Sequence, residues 1–206
     1  MKKPILLVHF LYVIIFMYSC YSWHGVLEKK LDGVWWGGRA VAVTADPTDN
    51  KIVFVGSETG GVFRSTNGGT LWGHIDSIPA FNCFDIRICP DAPSVIIATF
   101  KQDSRTINGG GIWVSTDGGK RWRQPPTSIP EDEQGNPKRI SAYGICYQHL
   151  TSNVFVGTDS GIAVSHDFGD TWFYIDPNPS GRRDTVSSIV SVFPGKLVIY
   201  GSGGIM

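Results

Sequence analysis

The sequence predicts an all-β fold, a β-propeller of four-stranded antiparallel blades. Three observations predict it. An octamer of the form S-x-[D/N]-x-G-x-x-W occurs three times, at Ser65 to Trp72, Ser115 to Trp122 and Ser165 to Trp172, and its serines stand 50 residues apart. A fixed spacing of this size marks a repeat architecture. Each unit holds four short apolar or alternating runs separated by Gly, Pro, Asp and Asn clusters, which is the pattern of short strands and tight turns. After residue 22 no sustained 3.6-residue periodicity appears, so helices are not expected.

The elements follow in chain order. Tyr21 to Gly38 is a lead-in with Trp23, Trp35 and Trp36; it either adds a strand to a blade or covers the first one. The first set is Arg39–Ala45, Lys51–Gly56, Gly61–Thr66 and Leu71–Ile75, with a turn at Asp46-Pro47-Thr48-Asp49-Asn50. The second is Cys83–Cys89, Ser94–Phe100, Gly111–Thr116 and Lys120–Arg123, its first turn Pro90-Asp91-Ala92-Pro93. The third is Arg139–Tyr147, Asn153–Gly157, Ile162–His166 and Thr171–Ile175. The run Val154-Phe155-Val156-Gly157 repeats Val53-Phe54-Val55-Gly56, and Val95-Ile96-Ile97-Ala98-Thr99 fills the same slot. The fourth set has Thr185–Phe193 and Lys196–Gly201 around Pro194-Gly195. Four short strands per unit give a blade, and blades in series give a propeller. The expectation is three full blades and half of a fourth, the N-terminal part of a longer propeller spanning residues 39–206, with exposed edges if taken alone.

Each octamer joins the third and fourth strands. Its Asx side chain (Asn67, Asp117, Asp167) bonds local backbone N–H groups, and its glycine (Gly69, Gly119, Gly169) supplies the positive φ a tight turn needs. Ser65, Ser115 and Ser165 add a second short acceptor. Trp72, Trp122 and Trp172 are large enough to cover the turn. The octamer resembles the Asp-box, or bacterial neuraminidase repeat, of sialidases, sortilin-type propellers, family-74 xyloglucanases and photosystem assembly factors. Asn67 departs from the Asp and keeps the turn. The resemblance implies the propeller fold and a structural role for these twelve residues, at the blade edge and away from the active face.

The composition is that of a globular strand-and-turn protein: 42% apolar, 12% aromatic, 25 glycines, formal net charge zero. The absence of a basic stripe excludes the usual nucleic-acid footprint. Residues 1–22 stand apart. Lys2 and Lys3 precede a run from Pro4 to Tyr18 that is nearly all apolar but short of the ~20 residues that cross a bilayer. This is a secretory signal pattern, and it places the chain outside the cytoplasm or in a bacterial cell envelope. Met17-Tyr18-Ser19-Cys20 resembles a loose lipobox, which makes Cys20 the candidate lipidation site. Three fates fit: lipid anchoring on Cys20, ordinary cleavage nearby, or an uncleaved anchor. Membrane association is expected only through this segment. Cys83, Cys89 and Cys146 remain; an odd number allows at most one bridge, and burial as small hydrophobes is the simpler reading. Neither the cysteines nor the five histidines have metal-ligand spacing, so no metal and no cofactor is expected.

In a meander, the turns between strands two and three lie on the face opposite the octamers, together with the links between blades. That face carries the insertions: Lys101 to Gly110, the link Gln124 to Lys138, and the link Asp176 to Asp184. Loops on a rigid scaffold are where binding groups concentrate. Candidates for a ligand face are Arg39, Asp103, Arg105, Arg139, Asp159 and Arg182. The partner classes considered are a glycan and an extracellular protein or peptide.

The stretch Ser57-Glu58-Thr59-Gly60-Gly61-Val62-Phe63-Arg64 is similar to the xyloglucanase stretch T-D-I-G-G-A-Y-R, whose Asp is catalytic. The resemblance makes Glu58 the candidate catalytic carboxylate, with one methylene more than the family's Asp. Glycoside hydrolysis needs a second carboxylate across the sugar, which that family takes from a second propeller. A sialidase would need an arginine triad, and its Arg-Ile-Pro motif precedes the first Asp-box. Here Arg87-Ile88-Cys89-Pro90 follows the first octamer and contains an inserted Cys. Gly37 to Pro47 resembles the opening blade of secreted sortilin-like and neuraminidase-repeat proteins. The function expected is an exported binding or scaffold module, with a glycoside hydrolase as the alternative.

Overall fold

The computed structural model describes residues 29–31, 34–36, 38–105, 109–176, 185–192, 196–202 and 204–205. Residues 1–22, the candidate signal with Cys20 among them, and Arg182 lie outside the described residues. The chain is an all-β propeller arc of antiparallel blades. A two-stranded hairpin, β1 (Lys29–Leu31) and β2 (Val34–Trp36), comes first and pairs with itself. Blade one is β3 (Ala40–Ala45), β4 (Val53–Ser57), β5 (Gly61–Ser65) and β6 (Gly73–His74). Blade two is β7 (Cys83–Ile88), β8 (Ile96–Phe100) and β9 (Gly111–Ser115). Blade three is β10 (Ala142–Tyr147), β11 (Val154–Thr158), β12 (Gly161–Ser165) and β13 (Phe173–Ile175). The fourth unit is β14 (Val186–Val192), β15 (Lys196–Gly201) and β16 (Gly204–Ile205).

The second and fourth units differ from expectation in strand content. The fourth strand of blade two shrinks to one bridge, Val114 to Arg123, with both backbone hydrogen bonds made (2.9 and 3.0 Å). Pro125 and Pro126 follow, and proline cannot donate to a ladder; a 3-10 turn at Pro126–Ser128 takes over. In the fourth unit a third strand has begun, with Gly204 and Ile205 paired to β15.

The core lies between blades. Along β8, Ile96, Ala98 and Phe100 join a cluster with Phe54 and Val62 of blade one, while Ile97 joins Ala142, Ile145, Val154 and Val156 of blade three. Strand side chains alternate faces. A strand sandwiched between two blades is therefore apolar on both, which is why this segment reads as an unbroken apolar run. Cys146, Ile162 and Val164 of blade three meet Val186, Ile189 and Ile199 of the fourth unit in the same way. The three described cysteines are buried and free.

The octamers bind one blade to the next. Ser115 Oγ accepts from Gly119 N (2.9 Å) and donates to Asp117 Oδ1 (3.0 Å), which also accepts from Lys120 N and Arg121 N. The Ser-to-Asx, Gly-to-Ser and last of these backbone bonds recur at Ser65–Asn67–Gly69 (from Leu71 N) and Ser165–Asp167–Gly169 (from Thr171 N). Trp122 and Trp172 donate Nε1–H to the carbonyls of Gly119 (3.1 Å) and Gly169 (2.9 Å). Gly119 seats against the ring of Phe54 in blade one, and Gly169 against Ile97 and Val114 of blade two. At Gly69 an added Cβ would meet only the ring of Trp72, and Trp72 is half-buried where Trp122 and Trp172 are buried.

Candidate functional site

The innermost strands β3, β7, β10 and β14 adjoin one another around the axis. Polar side chains tie them together. Ile88 N donates to Thr44 Oγ1 (3.3 Å), and Thr99 Oγ1 donates to the Tyr143 carbonyl (2.6 Å). Asp85 accepts from Ile86 N (2.9 Å), Arg87 Nε (2.9 Å) and Ile145 N (3.1 Å).

Each innermost strand slips register against its neighbour near its start. The shifts fall between Ala40 and Ala42, Cys83 and Asp85, Ala142 and Ile145, and Val186 and Ser188. A bulge sets an extra residue against its partner strand and re-aims a side chain. The residues at these slips, Val41, Phe84, Gly144 and Ser187, all line one cavity of about 400 Å³ at the axial end away from the octamers. Arg39, Glu58, Asp85, Arg87, Lys101 and Ser188 also line it, with Asn82 and Cys83. A longer channel of about 730 Å³ continues along the axis, sharing Val41, Asp85, Arg87 and Ser188. This axial mouth is the candidate site.

Its charges are largely paired. Arg39 Nη2 lies 3.3 Å from Glu58 Oε2, with both side chains well exposed. Arg87 Nε bonds Asp85 Oδ2, leaving Asp85 a buried strut between blades two and three. Lys101 Nζ stands 4.9 Å from the centroid of Phe84. That ring is held edge-on by Tyr143, with centroids 5.2 Å apart and planes at 89°.

Of the residues singled out from sequence, Arg39 and Glu58 are brought together in the mouth. Asp103 and Arg105 sit on the same rim and bond each other: Arg105 Nε reaches both carboxylate oxygens at 2.9 and 2.8 Å. That guanidinium holds the Asp103 carboxyl below its usual range, and it also stands over Phe81. Asp159 Oδ2 accepts from Ser141 N (2.9 Å), which fixes the link into blade three. Arg139 is exposed ahead of β10 and does not line the mouth. Sequence reasoning passed over Phe84 and Lys101. Lys101 was visible as the first residue of the inserted loop. Among the described residues, no three His, Cys, Asp or Glu side chains group as a metal site.

No family model matches the chain. It is 26% identical over 195 residues to a xyloglucanase of Hypocrea jecorina, covering 77% of this chain and 23% of that protein. It is 30% identical over 154 residues to xyloglucanase Xgh74A of Acetivibrio thermocellus, covering 66% of this chain and 17% of that one. The chain thus spans about a fifth of the length of the curated relatives it matches. Among solved structures, an ancestral GH74 enzyme superposes with TM-score 0.61 at 22% identity, over 79% of this chain and 22% of that one. The GH74 xyloglucanase of Xanthomonas campestris gives 0.52 at 16% identity, over 79% and 26%. The β-propeller domain of Myceliophteria thermophila Cps50 (Swd1) gives 0.54 at 10% identity, over 82% and 52%. These likenesses show the propeller fold.

Proposed function

We propose that this chain supplies blades of an exported β-propeller that binds a glycan in its axial mouth. The observation that carries the reading is the repeated register slip, which brings residues of four successive blades to one concave pocket of mixed polar and apolar lining. A pocket with a fixed aromatic edge and a few convergent polar groups is the usual form of a small-ligand site. The sequence similarity to xyloglucanases favours a saccharide over a peptide. Residues 1–22 act as the export signal, with Cys20 as a lipid anchor point; palmitate labelling lost in Cys20→Ser tests the anchor.

A second reading, xyloglucan hydrolysis, rests on Glu58. It occupies the β4–β5 turn at the mouth, where the resemblance places a catalytic carboxylate. The other carboxylate of the mouth, Asp85, spends its oxygens on Ile86, Arg87 and Ile145. Two carboxyl groups free to act across a sugar are not assembled by these residues alone, so binding is the function the geometry supports best.

Titration calorimetry with xyloglucan oligosaccharides tests both readings. Binding that weakens about tenfold in Phe84→Ala, the loss of one stacking ring, supports the glycan site. Undiminished binding in that variant refutes the placement. Turnover of xyloglucan that disappears in Glu58→Gln would replace the binding reading with the hydrolase.

A further inference from the structure

The mouth holds three cationic side chains, Arg39, Arg87 and Lys101, against two carboxylates, Glu58 and Asp85. Arg39 and Glu58 face each other as a pair. Arg87 engages Asp85 through Nε, and among the described residues its two terminal nitrogens make no hydrogen bond. The Lys101 ammonium has no carboxylate partner among the described residues; its neighbour is the Phe84 ring. The excess cation is therefore local to one side of the mouth, next to the aromatic edge, in a chain whose formal net charge is zero.

A neutral sugar has no need of that arrangement. A lysine in a concave wall has three N–H donors to place, and a guanidinium held by Nε alone presents its outer fork. Both are strong donors to an oxyanion, and bonds from charged donors to charged acceptors are roughly twice as strong as neutral ones. Phe84 gives the cavity its aromatic wall, and Ser187 and Ser188 of the fourth unit line it as well.

We infer that the axial mouth binds an anionic saccharide, a sugar bearing a carboxylate or sulfate group, through Lys101 and Arg87 beside Phe84. The inference rests on the glycan-binding reading above and specifies the class of glycan.

The test is calorimetric titration of the chain with oligogalacturonate, a sulfated oligosaccharide and a neutral xyloglucan oligosaccharide of matched length. Each is run at about 50 and about 500 mM salt, which straddles the range where screening removes surface attraction. The acidic ligands are expected to bind at least about tenfold tighter than the neutral one at low salt, with the margin shrinking at high salt. Lys101→Gln is expected to weaken the acidic ligands about tenfold more than the neutral one, while Lys101→Arg restores the preference. Lys120→Gln, on the octamer face, serves as the charge control, and an unshifted melting temperature shows that Lys101→Gln folds. The ranking of oligogalacturonate against the sulfated ligand assigns the anion. Equal or tighter binding of the neutral ligand, or a Lys101→Gln effect no larger on acidic ligands than on neutral ones, overturns the inference and leaves glycan binding standing. Binding of none of the three overturns both.

Discussion

Gly118 and Gly119 are adjacent, both at positive φ (72° and 81°), yet their surroundings differ. A Cβ at Gly118 would meet nothing within 4 Å. A Cβ at Gly119 would lie 2.6 Å from Phe54 Cε1 and closer still to Cζ. Phe54 has no room to retreat: it is fully buried, edge-on to Trp122 at 6.3 Å, with the Arg64 guanidinium 5.7 Å from its ring. Alanine at either position carries the left-handed backbone cost of about 1–2 kcal/mol. Only Gly119→Ala adds overpacking, about 1–3 kcal/mol more. In urea unfolding followed by tryptophan fluorescence, Gly118→Ala should cost about 1 kcal/mol and Gly119→Ala about 3–4 kcal/mol. Phe54→Leu clears the space, so the double variant with Gly119→Ala should recover at least about 1 kcal/mol relative to additivity. Equal costs for the two alanines, or strict additivity with Phe54→Leu, would refute the claim that the octamer glycine is a blade-to-blade contact.

Ser115→Ala leaves the buried Gly119 N–H without its acceptor, so it should cost about 2–3 kcal/mol, read as a lower melting temperature. Ser65→Ala breaks the same bonds where Gly69 is half-exposed and water can substitute, and should cost about 1 kcal/mol. Asp117→Asn should fold normally, because Asn67 already makes the same turn with an amide, its Oδ1 accepting from Ser65 Oγ (2.9 Å) and Leu71 N (2.8 Å). The Arg121 side chain, then its backbone N–H, holds the Asp117 carboxyl well below the usual carboxylate range. A folded-state value below the unfolded one stabilises above the unfolded value and is lost as pH falls through the folded one. Wild type should therefore exceed Asp117→Asn by less than about 1 kcal/mol at pH 7, since Arg121 is exposed. That margin should vanish on acidification from about pH 5 downward; a margin that grows in acid would contradict the sign.

The blade pattern was legible because it is local. Turn chemistry, alternation and the octamer spacing all lie within a few residues of one another, and strand bounds such as Cys83–Ile88 and Gly111–Ser115 fall within a residue of those expected. Outer strands were overdrawn: Leu71–Ile75 contracts to Gly73–His74, since an edge strand has one partner to extend its ladder. The register slips were invisible. A bulge is a two-to-one pairing settled jointly by both strands, and neither Val41 nor Phe84 at the slips is a turn former. The mouth followed the slips. Arg39 and Glu58 could be assigned to the correct rim from meander topology, whereas the meeting of Phe84 with Lys101 depends on β7 and β8 being offset by one position at Cys83 to Asp85. Asp85 looked like one acid among many. Its link to Ile145, sixty residues away, is a property of the packed blades.

The seating of each octamer on its neighbour makes the units alike in outline and unlike in fit. Gly119 meets an aromatic ring, whereas Gly169 meets an aliphatic methyl of Ile97 and a methyl of Val114. Transposing blades would set a ring where a methyl belongs and leave a void where the ring had been. Serial order is thus encoded as knob size, and duplicated modules that share one hairpin recipe are kept from shuffling by what each must accommodate next door.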